Sequence, residues 1–294
     1  MATLELRPLS LGELLDRTFF LYRRHFFVFI GISAIPYSIL LIVNLGNILF
    51  SRGRILPQFP PIVTHFQAVP PLGVAIGTVV LLGVVGALVF VTSFGATVFA
   101  VSDIVLGRPA SILGSLRRSS GKLLTLIGVI VIVGLIFMGG LILLFFPAFY
   151  FMCRCSVAFA AAVLERVGSV DAVRRSFQLT KQFAGRAFVI YLLTFAIAFA
   201  LVGTLQFPLG ILLAIYARQP STMTILLVLM QVGSFLGSVL AAPISTISFT
   251  LFYYDLRVRK EAFDLQMMME AIGADAAQST SAGEIPPMFG RDVS

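Results

Sequence analysis

From residue 123 to residue 164 the chain runs 42 residues with a single charge, Arg154. About 20 apolar residues suffice to cross the ~30 Å hydrocarbon core of a bilayer. The run therefore reads as a tight hairpin of two membrane spans, 123–145 and 148–164, turning near Phe145-Phe146-Pro147. A turn at Gly139-Gly140 is the lesser option, because it leaves the first of the two spans too short. Four further apolar runs, 26–50, 72–106, 187–215 and 223–254, are also long enough to cross. Only 12% of the chain is charged and its mean hydropathy is +1.02. A soluble domain carries about a quarter charged residues. The segments 74–101 and 123–146 show none of the alternation of a membrane barrel strand. The expected fold class is all-α, a polytopic helical membrane protein of about six spans. No cleavable signal peptide is expected, since the first run is too long for one and follows a stretch containing Glu5, Glu13 and Asp16.

Three short segments, 10–25, 111–122 and 169–186, each stand immediately before a pair of spans and read as amphipathic helices. In the third, Val170, Val173, Phe177 and Ala184 share one face, opposed by Asp171, Arg174, Arg175, Gln178 and Gln182. Ser169 is placed to cap its first turn, and Asp171 lies where a helix N-terminus favours negative charge. Arg117-Arg118-Ser119 in the second segment matches Arg174-Arg175-Ser176 in the third, and Arg17-Thr18-Phe19 in the first matches Arg175-Ser176-Phe177. Ser10 and Glu13 have capping-box spacing. Leu11, Leu14, Leu15, Thr18 and Tyr22 then form one face of the first segment, and Glu13, Asp16, Arg17, Arg23 and Arg24 the other. Helices of this kind can lie in the headgroup plane with the apolar face down. The plan is three units, each an elbow followed by a hairpin.

Pro36 is tolerable in the first span, where neighbouring helices can satisfy a freed carbonyl. The proline-rich stretch 51–71 reads as an extended external loop. Gly73 with Gly77, and Gly233 with Gly237, have the small-xxx-small spacing that permits close helix contact, although the first alone is a weak signal. Past the sixth span, Val258, Ala262, Leu265, Met269 and Ile272 continue a helical stripe over 255–272, opposed by Arg259, Lys260 and Asp264. From Gly273 the periodicity ends, and 273–294 reads as a disordered tail.

With the elbows and both termini on one side, seventeen of the 21 Lys and Arg residues lie there, three lie opposite and Arg154 lies within the membrane. All 13 acids fall on the same side as the elbows. The positive-inside rule makes that side cytoplasmic, with both termini in the cytoplasm.

Candidate chemistry is sparse. Histidine occurs only as His25 and His65, on opposite sides of the membrane, so no paired-histidine metal site or Ser-His relay can be assembled. Cys153 and Cys155 point apart on a helix and read as small buried apolar residues, without disulfide or metal. There is no phosphate-cradling glycine loop. No catalytic residue, metal, cofactor or nucleic-acid partner is expected. Arg154 is the candidate intramembrane polar site, facing the bundle or a wet cavity, or alternatively satisfied by carbonyls or snorkelling outward. Arg17, Arg117, Arg118, Arg174, Arg175, Arg257, Arg259 and Lys260 are candidate contacts to anionic lipid headgroups or a partner protein. Asp103, Glu165 and Asp255, at span ends, are expected to pair with elbow arginines.

RPLSLGELLDRTFFLYRRHF (7–26), YYDLRVRKEAFDLQ (253–266) and the central stretch from Arg154 through AVLERVGSVDAVRRSFQLTKQF resemble the glycerophosphoryl diester phosphodiesterase membrane-domain family. The likeness covers nearly the whole chain apart from the proline-rich loop and the tail. Members that give the family its name carry a catalytic barrel after the membrane part. Only 40 residues follow Tyr254 here, far below the ~250 of such a barrel. The resemblance thus implies a stand-alone, multi-pass module of the bacterial cytoplasmic membrane and implies no activity. The leading expectation is a non-enzymatic scaffold or accessory subunit. The alternative is a transporter or lipid-handling protein with a polar cavity around Arg154.

Overall fold

The computed structural model describes residues 9–50, 72–143, 145–216 and 219–281. Among them the chain is 90% helical, with no strand, and six segments are long and apolar enough to cross a membrane. The expected external loop at 51–71 and the end of the tail, 282–294, lie outside the described residues.

Elbow α1 (Leu11–Arg24) leads into span α2 (Phe26–Phe50), followed by span α3 (Leu72–Val105). Elbow α4 (Ile112–Ser120) leads into α5 (Leu123–Leu143), then α6 (Phe145–Arg154) and α7 (Ala158–Leu164). Elbow α8 (Ser169–Thr180) leads into α9 (Ala184–Ile215) and α10 (Pro220–Ser281). The capping box opens α1: Glu13 N–H donates to Ser10 Oγ (3.2 Å) and Ser10 N–H to Glu13 Oε2 (2.8 Å). Helix α5 of the third span ends at Leu143 and α6 of the fourth begins at Phe145. Gly140 abuts Ala148 so closely that a Cβ at Gly140 would lie 2.7 Å from Ala148 Cα. Residues eight apart in one straight helix stand about 12 Å apart, so this contact requires the chain to reverse.

Three features differ from the sequence expectation. The fourth span is not one helix, because the backbone leaves helical geometry at Cys155–Val157 and resumes in α7. α8 ends at Thr180, and its buried face is Ala172, Val173, Ser176, Leu179 and Thr180; Val170 is 65% exposed. The hydroxyls of Ser176 and Thr180 are turned into the bundle. Helix α10 runs on to Ser281, past Gly273, where the loss of apolar rhythm suggests a tail.

In each unit the second span is more buried than the first. The second spans α3, α7 and α10 contact one another and form the inner layer; α2, α5 and α9 lie outside them. The fourth span is the extreme, 56% buried against 11% for Ala184–Ile215. Gly233 and Gly237 lie against α9, where a Cβ at Gly237 would stand 2.9 Å from Val202 Cγ2, whereas Gly73 and Gly77 meet nothing within 4 Å.

The elbows close the assembly. Each packs against the second span of another unit: α4 on α3, α8 on α7 and α1 on α10. Because the last span receives the first elbow, the three contacts form a ring.

Candidate functional site at the break in the fourth span

Each elbow is held at two levels, first by a carboxylate at a span end. Asp103 takes both terminal nitrogens of Arg118, whose guanidinium also lies 5.1 Å from the Phe99 ring. Glu165 accepts from Arg175 Nε at 3.0 Å and from Tyr253 Oη at 2.7 Å, while Arg175 Nη2 reaches Glu261 at 2.5 Å. Asp255, with a side chain 0% exposed, accepts Leu9 N–H at 2.7 Å and sits between Arg186 (3.4 Å) and Arg259 (3.0 Å). Both of those arginines also donate to the Leu9 carbonyl. The expected pairing of these acids with elbow and neighbouring arginines is therefore present. The hydrogen bond to Asp103 raises the pKa of Arg118. Burial pulls Arg175 down, but Glu165 and Glu261 outweigh it and leave that pKa raised.

The second level is a buried hydroxyl. Thr18, Ser119 and Ser176, matched in the sequence repeat, are all 0% exposed. Ser119 Oγ donates to the Thr92 carbonyl at 3.1 Å and Ser176 Oγ to the Arg154 carbonyl at 2.7 Å. Thr18 lies 3.4 Å from Ser248 Oγ, which donates to the Ile244 carbonyl at 2.8 Å. Thr92, Arg154 and Ile244 each stand eleven residues before their span-end acid, Asp103, Glu165 and Asp255. The repeat thus extends from the elbows into the spans, at a spacing the elbow motifs alone do not reveal. Close approach is made possible by glycine at the second and third elbows. A Cβ at Gly95 would fall 2.5 Å from Ser119 Oγ, and one at Gly128 would fall 2.3 Å from Ser169 Oγ. Ser169 donates to the Thr125 carbonyl (2.8 Å) instead of capping α8, whose N-cap is Gly168 with no side-chain bond.

At Arg154 the carbonyl is a helix-end carbonyl left over by the break, and Thr180 Oγ1 joins Ser176 in satisfying it (3.0 Å). Irregular backbone at membrane depth persists only where protein or a wet cavity covers it, and α8 supplies that cover. The Arg154 side chain is not satisfied. Its Nε and Nη1 are buried with no hydrogen-bond partner, and the same holds for Ser156 Oγ. The guanidinium carbon lies 5.2 Å from the Phe177 ring and 5.9 Å from Tyr150. Arginine at the centre of a membrane helix costs about 2.5–3.5 kcal/mol on insertion scales. Each ring contact returns about 0.5–2 kcal/mol, which offsets part of that cost and leaves the donors unmet.

The other candidate cations divide. Arg118, Arg175, Arg257 and Arg259 are engaged in ion pairs, Arg257 with Glu261 at 2.8 Å, and Lys260 donates to the Gln178 carbonyl. Arg17 is half-buried on α1, while Arg117 and Arg174 are exposed on α4 and α8. Among the described residues no group of three His, Cys, Asp or Glu side chains is arranged to hold a metal. Cys153 and Cys155 are buried and unpaired at the same break. Ser156 is the residue sequence reasoning missed; within an apolar run, nothing distinguishes a hydroxyl that will lack a partner.

Comparison with protein-family models, curated proteins and solved structures finds no match to this chain.

Proposed function

We propose that this chain is a non-enzymatic integral membrane module of the bacterial cytoplasmic membrane, with its elbow end in the cytoplasm, acting as a scaffold or accessory subunit. The observation carrying this reading is α10, which continues without interruption from the membrane segment to Ser281 and is braced at its root. There Glu261 holds Arg175 and Arg257, and Lys260 reaches back to the Gln178 carbonyl of α8. From Glu261 to Ser281 such a helix extends about 30 Å, carrying the apolar stripe Leu265, Met269, Ile272 for a partner protein. The excess of cations at the elbow end and the likeness to the glycerophosphoryl diester phosphodiesterase membrane domain support the orientation and compartment. The exposed Arg117 and Arg174 suit anionic lipid headgroups.

Two measurements test this. A cysteine at Ser281, labelled in intact cells, is expected to resist a membrane-impermeant thiol reagent until the cells are opened; labelling from outside refutes the orientation. A photo-crosslinker at Met269 in native membranes is expected to give one discrete protein adduct, and its absence refutes the scaffold. A second reading, lipid handling or transport at Arg154, is favoured by the unmet guanidinium donors. Its test is substrate flux in reconstituted liposomes that Arg154→Ala abolishes.

A further inference from the structure

We infer that Arg154 and Ser156 form a binding site for a phosphate-class oxyanion at the break in the fourth span. The threefold repeat supplies an internal control. Thr92 and Ile244 occupy the positions equivalent to Arg154: the Thr92 carbonyl likewise accepts an elbow serine, while the Ile244 carbonyl is taken by Ser248 of its own helix, which in turn meets Thr18 of the first elbow. Docking therefore requires nothing of the side chain, and a guanidinium at this position has no counterpart in the other two units. Nor is its charge met from within. Asp103, Glu165, Asp255 and Glu261 are paired with other cations. No carboxylate among the described residues bonds to Arg154.

What remains is a rigid set of donors without an acceptor. The Phe177 and Tyr150 rings flank the guanidinium at 5.2 and 5.9 Å, and its Nε and Nη1 are buried and unpaired. Two residues on, the Ser156 hydroxyl is also unpaired, in a residue only 4% exposed. A planar guanidinium fork pairs with phosphate through parallel N–H···O bonds, and a neighbouring hydroxyl donates a further one. The side chain is only half-buried, and the flanking Tyr150 is 53% exposed on an apolar helix face. A group reaching the site from that face comes through lipid, so a phospholipid headgroup is the first source of the phosphate and inorganic phosphate the second.

The site deepens the transport or lipid-handling reading in location, yet phosphate binding without flux would leave the site standing and remove only that reading. It is tested by titrating the purified full chain, in neutral detergent, with phosphatidylglycerol and separately with inorganic phosphate, followed by native mass spectrometry. Wild type is expected to retain one tightly held phospholipid, and Arg154→Gln to bind it about tenfold more weakly or worse. Arg108→Gln, at an exposed position between α3 and α4, is expected to leave it unchanged. Arg154→Lys keeps the charge but loses the fork and guards against a folding defect; Ser156→Ala does so more mildly. Both are expected to weaken binding several-fold with helix content intact. Binding of inorganic phosphate that depends on Arg154, with no phospholipid retained, supports the site with the second source. Binding unaffected by all three substitutions at positions 154 and 156, or no binding of either probe by wild type, overturns it.

Discussion

Span α3 and the fourth span occupy the same place in successive units, and they solve the same problem differently. Both end in a carboxylate that grips the following elbow, Asp103 on Arg118 and Glu165 on Arg175. Eleven residues earlier both offer a carbonyl to an elbow serine. In α3 the accepting carbonyl is that of Thr92, within a continuous helix, and Gly95 makes room for Ser119. In the fourth span it is that of Arg154, at a break, with Thr180 needed as a second donor. The architecture thus does not require the break or the charge. These are additions made at one of three equivalent positions, in the most buried of the six spans.

This contrast can be broken experimentally. The largest effect is expected at its third member. Asp255→Ala strands Arg186, Arg259 and the Leu9 amide, and should cost about 3–5 kcal/mol in thermal unfolding in detergent, as loss of one partner from a buried ion pair does. Exchanging the two compared residues should be unequal. Thr92→Arg places a guanidinium in an intact span with no pocket and should cost about 3 kcal/mol. Arg154→Thr should change stability by less than about 1 kcal/mol, because docking uses only the carbonyl. A large loss with Arg154→Thr would make the arginine structural. Next, Ser119→Ala should cost about 1 kcal/mol, and Ser176→Ala less, since Thr180 still serves the same carbonyl. Equal losses would mean that the two elbows are held alike despite the break.

The smallest effect concerns the junction of the first elbow with its span. Burial, then Arg24, lowers the pKa of His25 below its ordinary value of 6.5. The unfolded chain therefore binds the proton more readily, and stability should fall as pH drops through 6.5 toward the lower folded value. His25→Asn should flatten that slope in an unfolding series from pH 7.5 to pH 5. An unchanged slope would place the pH dependence elsewhere.

The six spans, the capping box at Ser10 and the hairpin turn beside Phe145 were legible because each has a local cause. The cause is, respectively, apolar length, a four-residue spacing and the limits of one span. The break was not. No glycine or proline lies at Cys155–Val157, and the groups that stabilise it, Ser176 and Thr180, belong to another helix. The third elbow departs from its expected face at Val170, which is exposed, for a related reason. The apolar rhythm includes Val170 and passes over Ser176 and Thr180, whereas inside a bilayer a hydroxyl on a carbonyl is a packing element. Arg154 stood out by charge alone, but its lack of a partner appeared only once every neighbouring acid had been assigned.

The contact of Leu9 with Asp255 has a consequence for how the molecule is assembled. Helices that enter a bilayer in the order they are made can dock α4 on α3 and α8 on α7 within moments of synthesis, since each pair is adjacent in the chain. The first elbow has no such neighbour. Until Asp255 has been made, 246 residues after Leu9, the carboxylate that receives it does not exist. The first elbow, made before all six spans, is therefore the last of the three to be seated. An insertion factor that shelters α1 would have to act until Asp255 has been made.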